Sequence, residues 1–351
     1  MHRPVLEGRT PLTSAVARLI FGTEEVAEVT SMLSSWARER LGAAISTVEQ
    51  WHWSVGAVAV VALSDGRRVA LKAFPPRWTS DFLTAVVTVQ GHLAVRGLPC
   101  PMPLAGPFPL DAAGVMVRAE SNLEDPGSPP HPLGERELVV SATGLARLVS
   151  LAEELAPAAA AALARHPMRT PEGELYPEPH GPLFDFEATA GGAGWIDDLA
   201  RVALVARGGD KSTPVVAHTD WSARNVRVWP EGVRAIYDAD SLSLVPESTA
   251  VGIAAATWSA FGEAGEQIAP SPEEAAAWAR VYERAGRPLS ASQRHAAGGA
   301  ILHALAYTAR CEHALEVGHP ELGCPRRARD RLEPDGAGYI ERFEEACGAQ
   351  R

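Results

Sequence analysis

The sequence predicts an α+β protein in two lobes, the first β-rich and the second mostly helical. Three observations carry that expectation. Residues 47–74 read TVEQWHWSVGAVAVVALSDGRRVALKAF, rich in β-branched and aromatic residues and broken by Asp65-Gly66, a strong hairpin signal. Beyond Asn122 the strand character fades and apolar residues recur at helical spacing. A length of 351 residues suits two domains, or one domain in two lobes. The change of class puts a boundary near residues 120–125, so 1–121 is expected to hold an N-terminal helix plus the β-rich lobe and 122–351 the helical lobe.

Each element has its own justification. Val26, Val29, Leu33, Trp36, Ala37 and Leu41 line one side of a helix over Thr23–Leu41, and antiparallel strands follow within Thr47–Phe74. Asp81–Arg96 has helical apolar spacing and is stopped by Gly97, Pro99 and Pro101. One or two strands are expected around Leu104 and Gly114–Ala119, then helical, Ala-rich chain, apolar on one side, over Leu138–Arg165. Arg169–Gly194 is loop-like, with four prolines and five acids, and such a long irregular segment serves either as a functional flap or as a mobile insertion. Helices are expected again over Ile196–Val205, Val251–Phe261, Pro272–Ala285 and Ser290–Leu315. No internal repeat is present, and the one low-complexity piece is the alanine run Ala158–Ala162.

Composition narrows the function. Hydrophobic residues make up 46% and charged residues 21%, which excludes global disorder. A formal charge of -11 argues against nucleic acid or an anionic membrane as a partner, since a phosphate backbone is normally met by surplus Lys and Arg. Cys100, Cys311, Cys324 and Cys347 stand singly with no CxxC pair, so free thiols in a reducing compartment are expected. The opening MHRPVLEGRT lacks the features of a signal peptide and no run of about 18 apolar residues follows, which points to the cytoplasm.

The chemistry concentrates in VVAHTDWSARNV, residues 215–226. Moving a phosphoryl group from ATP to a hydroxyl requires a carboxylate to orient the hydroxyl, an amide and a second carboxylate to hold magnesium, and a lysine to reach the nucleotide phosphates. All four residue types occur in the order expected along the chain: Lys72 ends VALK on the last strand of the β-rich lobe, Asp220 and Asn225 lie in HTDWSARN, and Asp238 follows the apolar strand VRAIY. His218-x-Asp220-x4-Asn225 followed by a strand and Asp238 resembles the signature of the aminoglycoside phosphotransferase family, within the protein-kinase-like fold. The likeness runs from the Lys72 strand through Gly97-Leu-Pro-Cys-Pro101 to the Asp238 loop. It implies Asp220 as the catalytic base or hydroxyl-orienting acid, Asn225 and Asp238 as magnesium ligands, and Lys72 on the α and β phosphates. Gly56 would mark the loop over the phosphates, and the strand ending at Ala119 and Glu120 would lead to the hinge that receives adenine through its backbone.

Several features compete or depart from that pattern. Asp and Asn also cap turns by bonding nearby backbone, which is the bland account of an isolated H-x-D-x4-N. His218 is expected to be structural, holding the loop by hydrogen bonds, and Asp240 competes with Asp238 for the metal. Trp221, beside Asp220, is expected in the core, with substrate contact as the alternative. Trp53-Ser-Val-Gly-Ala-Val carries one glycine where protein kinases have three, and Thr219 replaces the arginine of HRD. No Glu occurs between Lys72 and Glu120, so the helix Asp81–Arg96 lacks an acid to pair with the lysine; Asp81 and Gln90 are the nearest substitutes, with Asp238 as another way to position it. The Walker-like ending at Gly208–Thr213 lacks the required glycines, and Cys311, His313, His319 and Cys324 fit no common zinc spacing.

The expectation is therefore an ATP- and Mg2+-dependent O-phosphotransferase acting on a small hydroxyl-bearing molecule, an antibiotic before a sugar, amino sugar or amino alcohol, as monomer or homodimer. A nucleotide-binding pseudokinase is the non-enzymatic rival. Glu172, Glu174, Asp185, Glu187, Asp197, Asp198, Glu263, Glu266, Glu312 and Glu316 would suit a cationic drug, although a solvated acidic face explains them more simply.

Overall fold

The computed structural model describes residues 11–110, 114–123, 127, 133–155, 157–181, 183–261 and 267–348. They form two compact units: the first holds the described residues of 11–123 other than 96–99, together with 180–181, and the second holds the rest. The excursions at 96–99 and 180–181 depart from a single linear division at 121/122.

The first unit runs α1 (Pro11–Phe21), α2 (Val26–Leu41), β1 (Ile45–Trp53), β2 (Ala57–Leu63), β3 (Arg68–Ala73), α3 (Ser80–Val95), β4 (Pro103–Leu110) and β5 (Val115–Ser121). Its five strands make one antiparallel sheet in the order β1-β2-β3-β5-β4. The β2–β3 turn forms where Asp65-Gly66 predicts it, with Gly66 at φ 88 and the Asp65 carboxylate accepting the Arg67 N–H at 3.1 Å. Alternation decides the faces. Ala59, Val61, Leu71, Val117 and Ala119 are buried against Val16 and Ile20 of α1 and Leu33 and Trp36 of α2, and each fully buried Val, Leu or Ile contributes about 1.5–3 kcal/mol. Gly42, at φ 78, ends α2 in the left-handed region that a side chain disfavours. Helix α1 carries no mark in the sequence expectation.

The second unit contains α4 (Glu135–Ala152), α5 (Pro157–Ala161), α6 (Gly194–Arg207), β6 (Val215–His218), β7 (Val226–Trp229), β8 (Gly232–Ile236), β9 (Leu242–Val245), α7 (Glu247–Thr257), α8 (Pro272–Arg284), α9 (Ala291–Gly318), α10 (Arg327–Asp335) and α11 (Tyr339–Gly348). Two small antiparallel pairs, β6 with β9 and β7 with β8, carry the site. The helical character expected over Leu138–Arg165 is divided among α4, α5 and a 3-10 turn over Ala162–Arg165. Ser271 and Ser290 begin α8 and α9 with reciprocal capping boxes to Glu274 and Gln293. Helix α9 is the long buried axis of this unit, and its neighbours approach closely because Gly252 and Gly299 lack side chains. A Cβ at Gly252 would lie 2.5 Å from Ala297 O, and one at Gly299 would lie 2.7 Å from Ala206 Cβ. Among the described residues no helix is long and apolar enough to cross a membrane, and the four cysteines are free thiols.

Candidate active site

Strand β6 delivers His218 at its end, and the next seven residues fold into a tight loop held by their own backbone. The Ser222 N–H donates to Asp220 O at 2.9 Å and the Asn225 N–H to Ser222 O at 2.9 Å. Asn225 then turns its amide back, Nδ2 donating to Asp220 Oδ2 at 2.7 Å and to Asp220 O at 3.1 Å. That bond fixes the Asp220 carboxylate in one rotamer, with Arg224 a further 3.7 Å from the same oxygen. His218 is structural: its Nε2 pairs with Tyr237 O at 3.0 Å while Nδ1 accepts the Asp220 N–H at 3.2 Å, which selects the Nε2–H tautomer.

The second acid arrives on the β8–β9 connection. Tyr237 N–H donates to Asn225 O at 2.7 Å, which sets Asp238 beside the Asn225 loop. Asp238 has φ 59 and ψ 49, and among the described residues it is the one non-glycine residue in the left-handed region. A β-carboxylate held there is strained, of order 1–3 kcal/mol, and such strain persists where the surroundings over-determine it. They do so through Ser241, whose Oγ–H donates to Asp238 Oδ2 at 3.1 Å and whose carbonyl accepts both the N–H and the Oγ1–H of Thr219, each at 2.9 Å. Thr219 thus ties the two loops together. Asp240 uses its carbonyl differently, facing His166 Nε2 at 3.0 Å, and burial holds the His166 pKa below its ordinary value. Trp221 is fully buried, its Nε1–H donating to Ser141 O and Ser141 Oγ at 3.1 Å each, so it belongs to the core rather than to a substrate surface.

Asn225 and Asp238 fit a hard divalent cation. Asn225 commits its NH2 to Asp220, which leaves its carbonyl oxygen as the ligand-forming end, and Asp238 brings a carboxylate. Among the described residues no group of three His, Cys, Asp or Glu side chains is arranged for a metal. Two protein oxygens suit Mg2+, which takes few protein ligands and completes its shell with phosphate oxygens and water. The zinc alternative fails on partners: His313 Nε2 pairs with Gly191 O at 2.9 Å, and the Cys324 thiol points to Glu312 O.

The remaining predicted residues lie in the first unit. Lys72, on β3, is buried and stands opposite Arg118 of β5 in the sheet register. Gly56 sits in the β1–β2 turn, where a Cβ would meet Ala73 O at 2.8 Å; its requirement is close backbone packing rather than a freely moving flap. Ala119 and Glu120 are inside the ladder, paired with Leu71 and Ala70 of β3 on one side and with Ala105 and Pro103 of β4 on the other. Ser121 N–H is also engaged, donating to Met102 O at 2.8 Å.

Sequence reasoning missed Arg118, Thr219 as a tether, Ser241 and His166. None carries a spacing signal, because each acts across strands or between loops. The segment 169–194 is clamped to α9 among the described contacts. His303 Nε2 pairs with Leu175 O at 2.7 Å, Arg310 reaches Thr189 Oγ1 and Phe186 O, and Tyr176 packs edge-on against Phe186 with centroids 5.5 Å apart. Asp185 of this segment caps the Ala188 N–H, and in the first turns of α6 Asp197 accepts the Tyr176 hydroxyl and Asp198 pairs with Arg201. Glu263 and Glu266 lie outside the described residues.

A scan against protein-family models finds no match, and no curated protein is similar enough in sequence to register. Solved structures do match. An amicoumacin kinase (hAmiN) in complex with AMP-PNP, Ca2+ and Ami superposes with a TM-score of 0.58 at 9% identity, covering 90% of this chain and 96% of that one. A type I macrolide 2'-phosphotransferase gives 0.47 at 17%, covering 88% and 98%. An aminoglycoside phosphotransferase from Alicyclobacillus acidocaldarius gives 0.47 at 13%, covering 89% and 95%. At these identities the comparison speaks to architecture, and the architecture is the α+β, bilobal protein-kinase-like fold that the sequence predicts.

Proposed function

We propose that this chain is an ATP-dependent small-molecule O-phosphotransferase. The observation that carries this is the Asn225–Asp220 bond at 2.7 Å beside the strained Asp238, an arrangement that presents one carboxylate to an acceptor hydroxyl and an amide plus a second carboxylate to a metal. In this reading Asp220 orients the hydroxyl and takes up its proton, and the acceptor oxygen displaces ADP from the γ-phosphorus in line. Asn225 and Asp238 are the residues that would hold Mg2+, which would supply positive charge to the transferring phosphoryl group. Lys72 supplies an ammonium to the α and β phosphates. The backbone groups that receive adenine lie past Ser121, since those of Ala119 and Glu120 belong to the ladder.

An antibiotic acceptor is favoured over a metabolic sugar or amino alcohol. The structure superposing with a TM-score of 0.58 is a kinase in complex with amicoumacin, which supports that class without fixing a compound. Among the described residues the acidic case for a cationic drug narrows to Glu172, Glu174 and Glu187, because Asp185, Asp197, Asp198, Glu312 and Glu316 serve caps and ion pairs within the fold. The test is mass spectrometry of an acceptor panel of aminoglycosides, peptide and nucleoside antibiotics, sugars and amino alcohols, incubated with Mg2+ and ATP. One acceptor gains a phosphate with the parent protein and not with Asp220→Asn, which still binds nucleotide. An Asp220→Asn protein that phosphorylates at the parent rate removes Asp220 from the chemistry, and nucleotide binding with no acceptor modified favours the pseudokinase.

A further inference from the structure

The sequence leaves Lys72 without an acid on the helix that would ordinarily supply one, and the structure places a carboxylate elsewhere. Among the described residues of the first unit, four polar or charged side chains are buried: Lys72, Gln90, Arg118 and Glu120, at 5%, 1%, 1% and 5% exposure. All four share one side of the sheet. Val69, Leu71, Val117 and Ala119 point into the apolar core under α1 and α2, so the alternate residues Lys72, Arg118 and Glu120 point to the other face, where α3 brings Gln90. Asp81, the other substitute considered, is exposed in the first turn of α3.

The four are wired in a definite order. Gln90 Nε2 donates to Glu120 Oε2 at 3.0 Å and to Pro101 O at 2.8 Å, while its Oε1 accepts from Arg118 Nη1. Arg118 Nη2 stands 3.2 Å from Glu120 Oε2, and its guanidinium lies 5.7 Å from the Phe74 ring centroid. Lys72 is directly opposite Arg118, and Glu120 is the diagonal neighbour two residues along the same strand face, a separation that long side chains span. Buried cations are retained where a carboxylate compensates them. Lys72 is also one of only two lysines among 32 basic residues, the rest being arginine, which marks a position that takes a compact ammonium.

We propose that Glu120, fixed by Gln90 and Arg118, is the positioning residue for Lys72, so that a carboxylate on β5 takes the part that a helix acid would otherwise play. Gln90 makes the device rigid, since the helix contributes a neutral hub that is itself anchored to the Pro101 carbonyl. The inference rests on the phosphotransferase reading for its purpose, but its geometry stands within one unit of the protein.

The two lysines make the test direct. In the full chain carrying 15N-lysine, the ammonium signals belong to Lys72 and the exposed Lys211, which serves as internal reference. Glu120→Gln lowers the titration midpoint of Lys72 by about one unit, leaves Lys211 in place, and raises KM for ATP about ten-fold with a smaller change in kcat. Gln90→Glu in the Glu120→Gln background returns the carboxylate from the helix side and restores both. A folded Glu120→Gln protein with the Lys72 midpoint and nucleotide affinity of the parent overturns the proposal. Where Glu120→Gln does not fold, Gln90→Met keeps the carboxylate but removes its anchor; a smaller shift in the same direction is expected, and an unmoved Lys72 again overturns it. A Lys72 midpoint that shifts in Glu120→Gln, with a parent that phosphorylates no acceptor, defeats the phosphotransferase reading alone, while full turnover with a Lys72 indifferent to the substitution defeats the positioning role alone.

Discussion

Helix α9 carries two buried titratable side chains whose responses to pH oppose each other. His303 accepts Arg207 Nη1–H on Nδ1 at 3.1 Å and donates Nε2–H to Leu175 O at 2.7 Å; burial, and then the Arg207 charge, push its pKa down to about 4. A folded-state pKa below the ordinary 6.5 means that the contribution of the neutral ring is present above 6.5 and is lost as pH falls toward 4. Between about pH 7 and about pH 5 the loss is about 2 kcal/mol. Glu312 behaves in the opposite sense. Burial pushes its pKa up to about 7 although its carboxylate accepts the Ala328 and Arg329 N–H groups at 2.9 and 3.0 Å. Its contribution is greatest below 4.5 and is lost as pH rises through 7, again by about 2 kcal/mol between about pH 5 and about pH 7. In the parent these two slopes nearly cancel. His303→Gln keeps a donor and an acceptor without titrating, so its stability, relative to the parent, falls by about 2 kcal/mol as pH is raised across that interval. Glu312→Gln shows the reverse dependence. Hydrogen exchange of α9 amides at the two pH values, with urea unfolding followed by tryptophan fluorescence, reads both slopes. The same pH dependence in the parent and both variants refutes the argument.

Thr219→Val keeps the shape of the side chain but removes the 2.9 Å bond from Oγ1 to Ser241 O, a loss of about 1 kcal/mol or about five-fold in kcat if that bond holds the Asp238 loop in its reacting position. Steady-state kinetics with the acceptor found by the panel decides, and an unchanged kcat reduces the bond to a fold contact. Gly252→Ala drives a methyl to 2.5 Å from Ala297 O and 2.6 Å from Ala300 Cβ, backbone and helix face that cannot turn aside. A loss of about 2–3 kcal/mol is expected, visible as a lower Tm, and a Tm equal to that of the parent shows that the α7–α9 contact relaxes freely.

What was legible in the sequence is what is local along the chain. The Asp220 and Asn225 pair, the alternate-face strands β2 and β3, and the Asp65-Gly66 turn are short-range facts, and spacing alone carries them. The role of Glu120 was not legible, because it depends on β5 inserting between β3 and β4. Only that order sets Arg118 opposite Lys72 and turns Glu120 toward Gln90.

The acidic charge of the chain illustrates the same limit from the other side. A formal charge of -11 invites a cationic substrate, yet acids of α9 and of the first turn of α6 are drawn into the fold. Glu312 accepts the first N–H groups of α10 while Glu316 pairs with Arg326 and Arg329, and Asp197 joins Tyr176 while lying 3.8 Å from Arg310. Charge counted along a chain does not distinguish acids that order a loop from acids that face a ligand. Of the exposed glutamates in 169–194, Glu172, Glu174 and Glu187 are what remains of the acidic argument there. Their replacement by glutamine raises KM for a cationic acceptor selectively if that argument holds, and leaves a neutral acceptor untouched.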